Sequence, residues 1–316
     1  MKLLLIYLIF IEKYFSLATF LPEKEMFLHD FLREGYFVFN IEDKVYEDSL
    51  LKLGKQAKFC KDKGLRINLE DGSNRFTIAR DNQKHFPKCV ENICEKIKYY
   101  FNKVDNYVSE IMDGEFSADI NITSEDHQTL GLKDLPTRTH LHVYTAAPHD
   151  EDDLNHDNDD LDDDEFSVPF HTDSGLFLLL TPSHDSPLNI MTRDGRMVQV
   201  PGSDEPGSSV ICLVGTGLSD WLLPGHDLFA PAHAVPSLRH SSSRTVLARM
   251  KIAPLEARNK NSDISFAEHF YSILHQSAKT TFEKRHMKRM RRQADHDISQ
   301  HWPGQVSSSQ NKTVSE

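Results

Sequence analysis

The chain has 316 residues, of which 39% are hydrophobic, so a wholly disordered protein is excluded, and one large domain or one and a half is expected. The formal net charge is −12, but residues 150–165 alone supply 11 acidic side chains, and the remainder is close to neutral. The charge therefore neither indicates nor excludes a charged partner for the folded part. The four cysteines are too few for a disulfide framework at this length, and we interpret all of them as buried apolar residues or free thiols.

Residues 1–20 begin with an apolar run that is too short to cross a membrane. They are either a signal peptide, with Ser16–Ala18 as a small-residue cleavage site, or the first strand of the domain. Glu12 and Lys13 interrupt the segment before that site, which argues against a signal peptide. We expect a cytoplasmic protein, with the secretory pathway as the alternative if residues 1–18 are a signal peptide.

Residues 21–125 are predicted to form an N-terminal region of helices and a strand. Residues 25–41 indicate a helix that Gly35 ends, followed by a strand with apolar and aromatic bias. Residues 45–60 and 84–112 are predicted to be helical, because apolar residues recur there at steps of three and four. The second helix is long enough to pack along a larger layer.

From residue 136 onwards the pattern changes to short strands separated by turn residues. In RTHLHVYTAAP, the residues Arg138, His140, His142 and Tyr144 alternate with a second set, which places them on one face of a strand. Further strand-like segments follow, without long helices between them. This spacing predicts an antiparallel sandwich or a jelly-roll barrel.

Three other segments are predicted to lie outside this core. The acidic insertion 150–165 is interpreted as disordered and solvated, because Asn158 stands where a calcium-binding EF-hand loop needs glycine. Residues 257–295 are predicted to form a C-terminal helix, and 296–316 a disordered tail. We interpret the basic run 284–292 as a solvated helix end, and expect no nucleic-acid partner.

The triplet His171-Thr172-Asp173 lies between two apolar runs. On a strand, its first and third residues point to the same face and can bind one ion. A facial triad for Fe(II) needs a second histidine, and His233 is the candidate. Arg244 follows on a further predicted strand, where its guanidinium can bind a carboxylate through paired hydrogen bonds. A lone histidine in a strand is more often structural, but the combination favours a metal.

A run of segments in fixed order resembles the iron- and 2-oxoglutarate-dependent dioxygenases of the isopenicillin N synthase-like group. The segments are FLHDFLREGYFVFNI, VPFHTDSGLFLLLTP, LNIMTRDGRMVQVPG, SSVICLVGTGLSDWLLPGHDLFAPAHAV and SRTVLARMKIAP. The resemblance implies a mainly β fold with flanking helices: a double-stranded β-helix (jelly-roll) core over 136–256, after an N-terminal α/β region. It also implies that His171, Asp173 and His233 bind Fe(II), and that Arg244 binds the distal carboxylate of 2-oxoglutarate.

The chain departs from the pattern of this group at two places, one beside Arg244 and one in the segment LHVYTAAP. The family usually has the triplet R-x-S, whereas this chain has Val246, which cannot form a hydrogen bond, in place of the serine. Upstream, LHVYTAAP stands where the family tends to have an asparagine and a tyrosine that contact the cosubstrate. Alternation turns His142 and Tyr144 inwards there, so we expect Tyr144 to make such a contact.

The expected function is that of a non-haem Fe(II), 2-oxoglutarate-dependent dioxygenase. It would hydroxylate or desaturate a small organic molecule with O2, without a catalytic residue beyond the metal site. We expect no stable membrane span. One alternative is an oxidase of the same fold that does not use 2-oxoglutarate, as Val246 would permit. The other is a non-catalytic metal-binding or interaction protein.

Overall fold

The structure is a computed structural model. It describes the following residues: 21–69, 73–79, 86–124, 128–146, 166–183, 187–200, 208–238, 243–260, 264–273 and 275. The segments predicted at 1–20, 150–165 and 296–316 lie outside them. The chain divides into two compact units, Met1–Phe270 and Tyr271–Glu316, and the described residues of the second are helical.

The helices of the first unit lie mostly before the strands of the barrel. They are α1 (Lys24–Glu34), α2 (Lys44–Gln56) and α3 (Glu91–Glu115), with 3-10 turns at Ala57–Lys63 and Leu132–Asp134 and a π-helical turn at Gly217–Leu222. Residues 266–273 are also helical. None of the described helices combines the length and apolar character needed to cross a membrane.

The strands are short, as the turn residues between them predict. They are β1 (Tyr36–Asn40), β2 (Leu65–Asn68), β3 (Asn74–Ala79), β4 (Ile122–Thr123), β5 (Thr129–Leu130), β6 (Thr137–Thr145), β7 (Phe166–His171), β8 (Phe177–Leu180), β9 (Leu188–Met191), β10 (Met197–Val200), β11 (Ser209–Val214), β12 (His233–Pro236), β13 (Ser243–Lys251) and β14 (Arg258–Asn259).

These strands form two antiparallel sheets that face each other. The large sheet has the order β1-β11-β8-β13-β6-β3-β2, the small sheet has the order β10-β9-β12-β7, and β14, β4 and β5 form a minor third sheet. Alternate residues of the large sheet, such as Val246 and Tyr144, pack against residues of the small sheet such as Ile190. This is the predicted jelly-roll barrel with an N-terminal α/β region.

The other face of the large sheet packs on the helices. Leu247 and Val143 lie there in one buried cluster with Ile97 and Phe101 of α3, as the apolar periodicity of that helix predicts. Gly35 ends α1 with a φ of 75°, and a Cβ there would collide with the carbonyl oxygen of Phe229. The helices therefore cover one face of the sheet and leave the other to line the barrel.

The interpretation of all four cysteines as unpaired is wrong for two of them. Cys60 and Cys89 form a disulfide, with Cα atoms 6.4 Å apart. Cys60 follows α2 and Cys89 precedes α3, and these helices pack against each other. That tertiary contact brings together thiols 29 residues apart. Cys94 and Cys212 are buried and not disulfide-bonded, as expected.

The C-terminal segment begins differently from the sequence prediction. Residues 258 and 259 form β14, which pairs with β4, where a helix over 257–295 was expected. Residues 266–273 are helical, and those from 276 onwards lie outside the described residues.

Candidate metal centre and cosubstrate site

Three side chains able to bind a metal converge on the small sheet. His171 ends β7, His233 begins β12, and the two are register partners, while Asp173 follows just after β7. One ligand atom of each lies within 4.8 Å of the others, and no other such cluster occurs among the described residues. Asp173 Oδ2 is 3.4 Å from His233 Nε2, and the two imidazole centroids are 4.5 Å apart. The structure thus brings together all three predicted metal ligands.

Both histidines present the same nitrogen to this cluster. Nδ1 of His171 is 2.9 Å from the carbonyl oxygen of Pro169, and Nδ1 of His233 is 3.3 Å from that of Pro231. A carbonyl can only accept, so Nδ1 carries a proton in each ring, and in the neutral form of each imidazole Nε2 is the nitrogen with the free lone pair. Metal-binding histidines are commonly oriented by such a hydrogen bond from the second ring nitrogen.

Strand alternation does not position Asp173, because β7 ends at His171 and Asp173 lies in the turn that follows. Its carbonyl oxygen instead accepts hydrogen bonds from the Thr216 backbone N–H at 2.8 Å and the Thr216 hydroxyl at 3.1 Å. Because that hydroxyl donates its proton to Asp173, His269 Nε2, at 3.3 Å, must donate to the hydroxyl oxygen. The carboxylate ligand is therefore held by a loop anchored to the segment after β11.

Glycine permits the close approach of these two segments. The backbone N–H of Gly215 donates to the Leu176 carbonyl, and that of Gly217 donates to the Gly175 carbonyl, both at 2.9 Å. A Cβ on Gly215 or Gly217 would collide with the Gly175 carbonyl oxygen. Larger residues here would push the turn that carries Asp173 away from its anchor.

The electrostatics of the cluster fit a divalent cation. Burial lowers the pKa of His233 to about 4, against the opposing effect of Asp173, so this ring is neutral at pH 7. Asp173 Oδ2 is buried and has no hydrogen-bond partner among the described residues. A buried carboxylate oxygen without a donor is costly unless a cation compensates it. Two imidazoles and one carboxylate form the donor set of the facial triad in non-haem Fe(II) oxygenases.

Arg244 and Tyr144 lie side by side on the inner face of the large sheet. They are register partners of β13 and β6, and Arg244 is 3% exposed. Arg244 Cζ is 6.0 Å from the centroid of the Tyr144 ring, and Nη1 donates to the Pro187 carbonyl at 3.2 Å. Burial lowers the pKa of Arg244 to about 10, which leaves it charged at neutral pH. The pKa of His233 is lowered most by burial, then by His171, and then by Arg244. Arg244 therefore lies within electrostatic reach of the cluster.

Val246 faces the barrel interior beside Arg244, as strand alternation predicts. Its register partner on β6 is His142, whose Nδ1 is 3.0 Å from the Thr77 hydroxyl. Burial, and next the charge of Arg75, lower the pKa of His142 to about 3, so this ring is neutral. On the inner face of β13, the next residue after Arg244 therefore has no hydroxyl, and the register partner of Val246 across β6 is an uncharged imidazole.

Sequence reasoning missed several residues around the site. β3 brings Arg75 and Thr77 to the inner face, and the alternation in RFTIA was a signal that could have revealed them. Pro-x-His occurs at both histidine ligands, with Pro169 and Pro231 two residues ahead, and this repeat was a second signal. The anchor formed by Thr216 and His269 had no local signal.

Comparison with known proteins identifies the fold. No protein-family model matches the chain, and no curated protein matches it either. Among solved structures, a candidate oxygenase from Shewanella oneidensis is similar with a TM-score of 0.57 and 14% identity, over 81% of this chain and 95% of that one. A dioxygenase for auxin oxidation in rice is similar with a TM-score of 0.55 and 13% identity, over 83% and 94% respectively.

The fold is the jelly-roll barrel of the iron- and 2-oxoglutarate-dependent oxygenases. A third similar structure is JOX2 in complex with 2OG, Fe and JA, with a TM-score of 0.51 and 12% identity, over 79% of this chain and 80% of that one. The predicted fold is thereby confirmed. At these identities the similarity concerns the fold, and the roles of individual residues rest on the geometry of this chain.

Proposed function

We propose that this chain is a non-haem Fe(II), 2-oxoglutarate-dependent dioxygenase that hydroxylates or desaturates a small organic molecule. The observation that carries the proposal is the convergence of His171, Asp173 and His233 within 4.8 Å inside a barrel of this fold. The solved structures of similar fold support it, since one is a dioxygenase for auxin oxidation and another contains 2OG and Fe. O2 as cosubstrate and a small molecule rather than a nucleic acid as substrate belong to the same proposal.

In this proposal three side chains hold the metal from one side. His171 and His233 bind through Nε2, because Nδ1 of each donates to a proline carbonyl, and Asp173 binds through Oδ2. The chemistry supplied by bound Fe(II) is oxidative decarboxylation of 2-oxoglutarate, coupled to oxidation of a substrate C–H bond by O2. The protein contributes geometry, the neutral imidazole of His233 and a buried setting that restricts water.

Arg244 and Tyr144 are proposed to bind the distal carboxylate of 2-oxoglutarate. The guanidinium is buried and charged, and it lies on the sheet opposite the metal ligands, so a molecule bound at both ends would span the barrel. A charge-assisted pair of hydrogen bonds in such a setting is strong. The phenol of Tyr144, beside the guanidinium, completes the carboxylate site in place of the missing serine.

Val246 favours one alternative function. Since the inner face of β13 has valine and not serine at position 246, next to Arg244, the site could serve an oxidase of the same fold that does not use 2-oxoglutarate. Measuring succinate formed from 2-oxoglutarate in the presence of O2 separates these enzymes. A dioxygenase produces succinate, whereas the oxidase consumes O2 without it.

The metal and cosubstrate sites are tested together by anaerobic titration with Fe(II) and 2-oxoglutarate. We expect a metal-to-ligand charge-transfer absorption band and one Fe(II) per chain. His171→Ala is expected to abolish both, whereas His226→Ala, which removes a histidine bound to Asp119 outside the cluster, leaves both unchanged. Equal iron content in wild type and His171→Ala would refute the metal assignment and leave a non-catalytic role.

We also propose a cellular compartment for the protein, the secretory pathway. Disulfides persist mainly in oxidising compartments, so the Cys60–Cys89 pair favours the secretory alternative over the cytoplasmic location expected from the sequence. Peptide mapping without reductant, on protein isolated from its native cells, tests this. A disulfide-linked peptide containing both cysteines supports the secretory pathway, and two free thiols support the cytoplasm.

A further inference from the structure

The barrel interior contains a second arginine that the metal and cosubstrate sites do not use. Arg75 on β3 is the register partner of Tyr144, which is also the partner of Arg244 on the opposite side. Its neighbours Phe76 and Ile78 pack on the helical side of the sheet, so alternation turns Arg75 towards the interior. The two arginines therefore flank one tyrosine on the inner face.

Arg75 has no anionic partner among the described residues. Its Nε is buried without a hydrogen bond, although the side chain as a whole is only half-buried. Its charge reaches the interior, because after burial it is the largest influence that lowers the pKa of His142. The acid of the site, Asp173, is assigned to the metal. The inner face thus has one cation more than its assigned anions require.

We propose that Arg75 binds a carboxylate of the organic substrate, so that the enzyme acts on small carboxylic acids. This inference rests on the proposed dioxygenase function. Paired hydrogen bonds from a guanidinium match a carboxylate, and the half-buried position leaves the group accessible to a ligand that enters the barrel. Because Arg75 has no anionic partner among the described residues and its Nε has no hydrogen bond, we expect its replacement to leave the fold intact.

The position of Arg75 favours the substrate over 2-oxoglutarate as the source of the carboxylate. Arg75 and Arg244 are separated by the whole of β6, so their Cα atoms lie about 10 Å apart at ordinary strand spacing. Arg244 and Tyr144 already form one carboxylate site on the β13 side. Arg75 lies on the other side of the tyrosine, where a second anion is accommodated without competing for the same donors.

The test measures ligand binding to the anaerobic Fe(II)–2-oxoglutarate complex by calorimetry. The probes are octanoate, benzoate, phenylacetate and 3-phenylpropionate, and the primary amide of each acid is titrated separately for comparison. We expect at least one acid to bind better than its amide, and Arg75→Gln to weaken that acid by about ten- to hundredfold. The amide should bind equally to both proteins, and Arg75→Lys should retain part of the affinity. Arg66→Gln, on neighbouring β2 and bonded to Asn74, is the matched control.

The affinity for 2-oxoglutarate separates the two sources of carboxylate. We expect Arg75→Gln to leave it within twofold of wild type, and Arg244→Gln to weaken it at least tenfold. An equal loss in both variants would assign Arg75 to the cosubstrate and overturn the inference. The inference would also be overturned if no acid bound the wild type better than its amide does. It would likewise be overturned if Arg75→Gln bound the acids as tightly as the wild type. A missing charge-transfer band in the wild type would instead refute the proposed function itself.

Discussion

Replacing Thr216 with valine tests whether the Asp173 ligand depends on its anchor. The substitution keeps the shape of the side chain and removes one hydroxyl. That hydroxyl donates to the Asp173 carbonyl at 3.1 Å and accepts from His269 at 3.3 Å, while the Thr216 N–H bond to the same carbonyl, at 2.8 Å, remains. The turn that carries Asp173 is therefore loosened and not released.

The expected losses differ between stability and metal binding. Two buried hydrogen bonds of ordinary strength are worth about 1–3 kcal/mol in the free energy of unfolding, measured by urea denaturation of the metal-free protein. Loss of a bond that orients a metal ligand weakens metal affinity about tenfold, measured by anaerobic Fe(II) titration. Thr181→Val is the matched control, because the Thr181 hydroxyl accepts from the buried Leu247 N–H at 3.0 Å and has no bond to Asp173.

A double-mutant cycle with His269→Leu identifies the path. If His269 acts on Asp173 through Thr216, the double variant loses little more than either single variant, with a coupling energy of at least about 0.5 kcal/mol. Strictly additive losses would show that the two residues act independently. Normal iron affinity in Thr216→Val, together with a loss of stability like that of Thr181→Val, would refute the anchor.

Three further predictions concern the residues around the barrel. Val246→Ser should restore a hydroxyl beside Arg244 and tighten 2-oxoglutarate about three- to tenfold in the anaerobic titration; weaker binding would show that the carboxylate lies elsewhere. Lys251 Nζ is bonded to Asp105 Oδ1 at 2.9 Å in a buried pair. Lys251→Met should lower the free energy of unfolding, measured by urea denaturation, by about 3–5 kcal/mol, because it leaves the Asp105 carboxylate without its cation. The double variant Lys251→Met/Asp105→Leu should recover most of this loss. The pKa of His142 is lowered to about 3 in the folded state, so between pH 3 and 6.5 this ring binds fewer protons folded than unfolded, and the free energy of unfolding falls as the pH falls through this window. His142→Gln should flatten this pH dependence of stability. An unchanged pH profile would contradict the burial of a neutral ring.

Local patterns in the sequence were sufficient for much of the fold and for the three candidate metal ligands that the structure brings together. The apolar steps of three and four in α3, and the alternation in β6 and β13, follow from the period of each element. The same alternation correctly turns Tyr144 and Val246 inwards. His171 and Asp173 are neighbours in sequence, so a short motif is enough to identify them, and the family resemblance adds His233.

Residues joined only by tertiary contacts could not be found in this way. Thr216 lies 43 residues from Asp173 and 53 from His269, and no periodicity relates them. The Cys60–Cys89 disulfide depends on the packing of two helices. A one-dimensional pattern specifies which face a residue occupies, but not which distant residue it meets there.

The candidate site is divided between the two layers of the barrel, and this division limits how it can tolerate change. The histidine ligands belong to the small sheet, whereas Arg244 belongs to the large one. Leu178 and Val235 belong to one buried cluster between the layers, and its packing would set the distance between the proposed metal and carboxylate sites. Because protein interiors are close-packed and transmit strain, substitutions in this interior should alter 2-oxoglutarate binding more than iron binding. In the proposed site the two histidines lie on one sheet and Asp173 lies in the turn after β7, whereas 2-oxoglutarate would reach from there to Arg244 on the other sheet.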